Sequence, residues 1–103
     1  MAQSITDKEF ESKTASGVTL TDFWAPWCGP CQMQSPVVDE LSESMKGQVD
    51  FFKINVDEEV EVAKSFGIMS IPTLLVKKDG EVVEKLVGFH DKNRLTEILN
   101  KYI

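Results

Sequence analysis

The sequence predicts an α/β fold: a central mixed β-sheet with helices on both faces. Three observations predict it. In the early part of the chain, apolar runs of strand length alternate with segments of helical periodicity, and such strand–helix–strand crossovers imply parallel pairing. Later, two strand-like runs, Thr73–Val76 and Glu81–Val87, flank Asp79-Gly80, a pair that two-residue hairpin turns favour, and they add antiparallel strands. Finally, 103 residues suit one domain, 1–103, and no repeat, linker or low-complexity segment divides them. The expected order is a weak β, then α, β, α, β, α, β, β, α.

The first helix is expected to start at Thr6. Thr6 and Glu9 form a capping box, and Ile5 and Phe10 fit the hydrophobic staple around it. It should end near Ser16-Gly17. Val18–Trp24 follows as a strand in which Val18, Leu20, Asp22 and Trp24 share a face, so a carboxylate stands on a mostly apolar surface. The second helix is expected over Cys28–Lys46, stopped by Gly47, with Met33, Val37, Val38, Leu41 and Met45 as its buried stripe. Pro36 inside it removes one backbone hydrogen bond, frees the Gln32 carbonyl and predicts a kink. Val49–Val56 reads as a strand with Phe51 and Phe52 on opposite faces. Asp57, Glu58 and Glu59 suit the N-terminus of a third helix, which Gly67 ends. Asp91 caps the last helix, whose Leu95, Ile98, Leu99 and Tyr102 recur at helical spacing.

Composition excludes several classes of function. A formal charge of −6 without any basic run argues against nucleic-acid binding. No apolar stretch is long enough for a membrane helix. Met1–Phe10 contains Asp7, Lys8 and Glu9 and no apolar centre, unlike a signal peptide. The expected compartment is therefore the cytoplasm. Structural disulfides rarely persist there, so a lone close cysteine pair reads as redox-active or metal-binding.

That pair lies in Trp27-Cys28-Gly29-Pro30-Cys31 and holds both cysteines of the chain. Gly29 and Pro30 suit a helix start, where proline needs no N–H. A cysteine in that first turn faces the positive end of the helix dipole, which favours the nucleophilic thiolate. One reading is dithiol–disulfide exchange: Cys28, nearer the helix start and expected to be the more exposed, attacks, and Cys31 then attacks Cys28 to release the reduced substrate. The other reading is half of a zinc site. Structural zinc takes four ligands, and beyond the cysteines the chain offers only one histidine, His90, far along the sequence; no metal is expected, and His90 is assigned a surface position with no role. Asp22 is either a buried carboxylate with a raised pKa, able to take a proton from Cys31, or a solvated strand-end residue. Trp27 reads as a wall of a substrate site and Trp24 as core.

Taken together, Asp22-Phe23-Trp24-Ala25-Pro26-Trp27-Cys28-Gly29-Pro30-Cys31 resembles the active-site signature of thioredoxins, and Ile68-Met69-Ser70-Ile71-Pro72-Thr73 resembles the second motif of the same family. The resemblance covers the chain from about Ile5 onward. It implies the thioredoxin fold and a protein-disulfide reductase. It implies a buried Asp22 acting as general base, Lys53 near it, a family-type proline at Pro36, and a cis Ile71-Pro72 bond beside the active site. The Ile71 backbone would pair with an extended substrate, and Gly88 would complete an apolar docking surface with Trp27, Gly29 and Pro30. The resemblance also implies no cofactor of the chain's own. NADPH and FAD would belong to a partner, thioredoxin reductase. Electrons would pass on to enzymes such as ribonucleotide reductase, methionine sulfoxide reductase and peroxiredoxins. A monomer is expected. Two rivals remain: a thiol oxidase or isomerase on the same fold, against which the Gly-Pro dipeptide argues, and a non-catalytic binding module. The chain departs from the family pattern at Gln32, Gln34 and Ser35, where a basic residue, an apolar residue and alanine are usual, and at Thr19 and Thr21, which replace apolar strand residues. Losing the cation after Cys31 removes one factor that favours thiolate.

Overall fold

The computed structural model describes residues 1–103. It contains β1 (Gln3–Ser4), α1 (Asp7–Lys13), β2 (Val18–Trp24), α2 (Gly29–Ser44), β3 (Val49–Asn55), α3 (Glu61–Ser65), β4 (Thr73–Lys78), β5 (Glu81–Val87) and α4 (Lys92–Leu99). The strands form one sheet in the order β1-β3-β2-β4-β5. β3 runs parallel to β1 and β2, while β2–β4 and β4–β5 are antiparallel. The mixed sheet expected from the crossovers and the hairpin is therefore present. At the hairpin, Asp79 and Gly80 take φ of 49° and 85°, the left-handed pair that matches strand twist in a two-residue turn.

Two apolar layers cover the sheet. On one face, Leu20, Phe51, Leu74 and Val76 pack under Val38 and Leu41 of α2 and Leu95 and Leu99 of α4. On the other, Phe23, Phe52, Ile54 and Leu75 pack against Phe10 of α1 and Val62 and Ala63 of α3. Phe51 and Phe52 thus serve opposite faces, as period-two alternation requires. Because both faces of β2 are covered, Thr19 and Thr21 are buried as well, and neither hydroxyl finds a partner.

Four local expectations are corrected. The first helix ends at Lys13 rather than near Ser16-Gly17: Thr14 turns its hydroxyl onto the Phe10 carbonyl (2.7 Å) and is itself held by Lys77 Nζ (2.9 Å). The second helix ends at Ser44, with Met45 as its cap residue, two residues before Lys46. In the same helix, Met33 is 62% exposed and Gln34 is fully buried, the reverse of the apolar stripe. The third helix starts at Glu61, not Asp57. Asp57 donates its N–H to Asn55 Oδ1, and the Glu58 and Glu59 N–H groups return to the Asn55 carbonyl, which makes a turn. The free N–H groups of Glu61 and Val62 are instead bound by the Asp7 carboxylate at 3.1 and 2.9 Å.

Candidate active site

The site is built at the end of β2, where the chain turns into α2. Cys28 is the N-cap residue of that helix; its backbone is extended, and its Sγ accepts the Cys31 N–H at 3.2 Å. A sulfur in that position collects an orphan helix N–H and the positive dipole end, which stabilise negative charge on it. Gly29 and Pro30 form the first turn and are exposed. Cys28 and Cys31 are joined as a disulfide with their Cα atoms 5.2 Å apart. The expected contrast in exposure is slight, 5% against 2%. What separates the two sulfurs is their surroundings. Cys28 Sγ lies 3.7 Å from the Ile71 carbonyl, whereas Cys31 opens inward onto a cavity.

That cavity, about 380 Å³, is lined by Asp22, Cys31, Pro36, Asp39 and Lys53, with Trp24, Gln32 and Ser35 completing it. Asp22 is 2% exposed, and its Oδ1 has no hydrogen-bond partner. Burial pushes its pKa up to about 7; the Lys53 ammonium opposes that shift and the Asp39 carboxylate adds to it. Lys53 stands opposite Asp22 in the β2–β3 register and extends over the Trp24 ring, 5.6 Å from its centre. The solvated alternative for Asp22 is therefore wrong, because α2 covers that end of β2. Trp24 itself is half-buried and packs against the cysteine pair.

The outer wall is apolar. Ile71-Pro72 is cis. Trp27, Val56, Ile68, Met69 and Ile71 line a shallow groove of about 170 Å³ beside Cys28. Trp27 is exposed, yet its Nε1–H donates to both oxygens of Asp57 at 3.0 and 3.2 Å, so the ring is held in place. Gly88, at φ +89°, donates its N–H to the Pro72 carbonyl at 2.8 Å. Of the residues singled out from the sequence, Asp22, Lys53 and Pro36 line the inner cavity with Cys31, Trp27 and Ile71 line the outer groove, and Gly88 is reached through the Pro72 carbonyl.

A helix-capping, dipole-facing cysteine bonded to a partner that shares a cavity with a buried carboxylate can exchange disulfides. Residues 1–101 match the family model described as Thioredoxin. The chain belongs to the thioredoxin family. Similar proteins named Thioredoxin occur in Listeria monocytogenes, 52% identical over 103 residues and the whole of both chains, and in Bacillus subtilis, 55% identical over 98 residues, 95% of this chain and 94% of the relative. A third, from Staphylococcus aureus, is 50% identical over 99 residues, covering 96% and 95%. Thioredoxins are protein-disulfide oxidoreductases that carry electrons on the cysteine pair rather than on a cofactor, and they work between a reductase and disulfide substrates.

Several residues of the site were not assigned from the sequence. Met69 and Asp57 flank Trp27, Asp39 joins the inner cavity, and Gln32 donates its side-chain amide to the Pro26 carbonyl at 3.0 Å. Gln32 thus braces the loop before the cysteines where the family pattern has a cation. The i, i+4 and i+7 spacing of Gln32, Pro36 and Asp39 on α2 carried a signal for the cavity rim. Nothing local marks Asp57 as a partner of Trp27, 30 residues away.

Proposed function

We propose that this chain, acting as a single cytoplasmic domain and a monomer, is a general protein-disulfide reductase with Cys28 as nucleophile and Cys31 as resolving thiol. The observation that carries the proposal is the split environment of the two sulfurs, one at a helix N-terminus beside the Ile71 backbone, the other sharing a cavity with Asp22. In the reduced protein, the Cys28 thiolate attacks one sulfur of the substrate disulfide. That S–S bond breaks, a Cys28–substrate disulfide forms, and the departing thiolate takes a proton from water. Ionised Asp22 then accepts the Cys31 proton, and the Cys31 thiolate attacks Cys28 Sγ, releasing the second substrate thiolate. Two electrons pass to the substrate, whose two thiolates take their protons from solvent; Asp22 returns the Cys31 proton to solvent, and the Cys28–Cys31 disulfide remains. Lys53 keeps the Asp22 pKa from rising further. Pro36 in α2 walls the inner cavity. Trp27, Gly29, Pro30, Ile71, Pro72 and Gly88 receive the substrate, whose extended backbone pairs at Ile71.

Reducing equivalents come from NADPH through a flavin-dependent thioredoxin reductase. The recipients are enzymes with exchangeable disulfides, of the ribonucleotide reductase, methionine sulfoxide reductase and peroxiredoxin kinds. No helix is long and apolar enough to cross a membrane. The test combines turnover with trapping. With NADPH and the reductase, the protein is expected to reduce insulin disulfides, and Cys31→Ser is expected to stall as mixed disulfides visible by mass spectrometry. A protein that leaves insulin intact, or a midpoint potential well above that of the glutathione pool, would instead mean an oxidant or a binding module.

A further inference from the structure

We propose that Gln34 is a positioning residue that decides how protein disulfides dock, because it fastens residues 88–91 to the active-site helix. This rests on the reductase reading above and goes beyond it. Gln34 lies on α2 three residues after Cys31, so the two side chains share a helix face. It is fully buried. Its Nε2–H donates to the His90 carbonyl at 3.0 Å, and its Oε1 accepts the His90 N–H at 2.8 Å. The side-chain amide thus gives the His90 peptide the two bonds that a neighbouring strand would supply. Residues 88–91 lie between β5 and α4 and belong to no strand or helix, so this peptide depends on the amide.

The chain of bonds continues to the reacting sulfur. His90 Nδ1–H donates to the Gly88 carbonyl at 2.9 Å, and the Gly88 N–H donates to the Pro72 carbonyl at 2.8 Å. Pro72 adjoins Ile71, whose carbonyl is 3.7 Å from Cys28 Sγ. Gln34 therefore links α2, through His90 and Gly88, to the backbone edge offered to an extended substrate. Phe89, between the two tethered residues, is exposed. An apolar side chain at position 34 would satisfy the helix stripe but neither group of the His90 peptide. The substrates governed in this way are polypeptide disulfides that lie along Ile71 and reach Phe89. A small disulfide that meets only Cys28 is indifferent to the tether. His90, assigned no role from the sequence, takes part through its backbone and its ring.

The test is Gln34→Met, which keeps length and apolar bulk and removes the amide. Single turnovers of the reduced protein against insulin and against hydroxyethyl disulfide, followed by tryptophan fluorescence, give KM and the limiting rate. The expected result is a KM for insulin raised roughly fivefold, a limiting rate within about twofold, and an unchanged rate with hydroxyethyl disulfide. Faster hydrogen exchange of the His90 amide should accompany it. An unchanged insulin KM, or equal losses on both substrates, would overturn the proposal. Should Gln34→Met not fold, Phe89→Ala alters only an exposed side chain and is expected to give the same selective rise in KM; no rise would overturn the proposal equally. A wild-type protein that fails to reduce insulin would sink the reductase reading instead.

Discussion

Replacing Asp22 by alanine should make the protein more stable and a slower catalyst, and the size of the first effect follows from its surroundings. Asp22 is buried with one oxygen unpartnered, and its pKa is raised from 3.8 to about 7. A carboxylate whose folded pKa exceeds its unfolded value holds a proton in the folded state that the unfolded chain has released. Stability therefore falls as pH rises from about 4 to about 7 and is level above that. At 1.36 kcal/mol for each pKa unit, the ionised side chain costs the fold about 4 kcal/mol at pH 8. Alanine removes that cost and leaves a carboxyl-sized gap worth about 1 kcal/mol. The net gain expected for Asp22→Ala is about 3 kcal/mol at pH 8, fading to a slight loss at pH 4. Urea unfolding of the oxidised protein at pH 4, 5.5, 7 and 8 measures it, with equal m values confirming that only stability changed. The same variant should resolve mixed disulfides about a hundredfold more slowly at neutral pH. A stability difference that does not vary with pH, or a destabilised variant at pH 8, would refute the reasoning.

Other perturbations probe the same surroundings. The Lys53 ammonium lowers the Asp22 pKa, so Lys53→Met should raise it above about 7 and move the acid limb of resolution to higher pH; carbon NMR titration of the carboxyl checks this, and a fall in pKa would contradict it. Thr21→Val deletes a buried hydroxyl that has no partner and should raise the urea midpoint by an amount equivalent to about 1 kcal/mol. Gly80→Ala forces a side chain to φ +85° with its Cβ 3.3 Å from the Ala15 carbonyl. That should cost about 1–2 kcal/mol and lower the melting temperature by roughly 5–10 °C.

Much of this molecule was legible along the chain. The capping box at Thr6 and Glu9, the Asp79-Gly80 turn, the Asp91 cap and the helix start at Gly29-Pro30 all formed where the sequence placed them. Each depends on residues within one turn of one another, so the covalent order suffices to specify it. The chemistry of Cys28 and Cys31 is local for the same reason. Two thiols three residues apart at a helix N-terminus meet whatever the rest of the chain does.

Long-range packing decided the rest. Asp57-Glu58-Glu59 has the composition of a helix start, yet α3 begins at Glu61 because Asp7, more than fifty residues earlier, supplies the capping carboxylate. Apolar periodicity selects Met33 for the interior, but Gln34 is buried in its place because the His90 peptide meets its amide across 56 residues. The pKa of Asp22 is the plainest case. The strand pattern puts its carboxylate on the apolar face, but only the covering α2 and the Lys53 and Asp39 charges decide that it titrates near neutrality. Sequence by itself determined which groups could react and which short segments would form. Tertiary structure decided how each reactive group is solvated and paired, since burial and partners depend on atoms brought together by the whole fold rather than by the neighbouring residues.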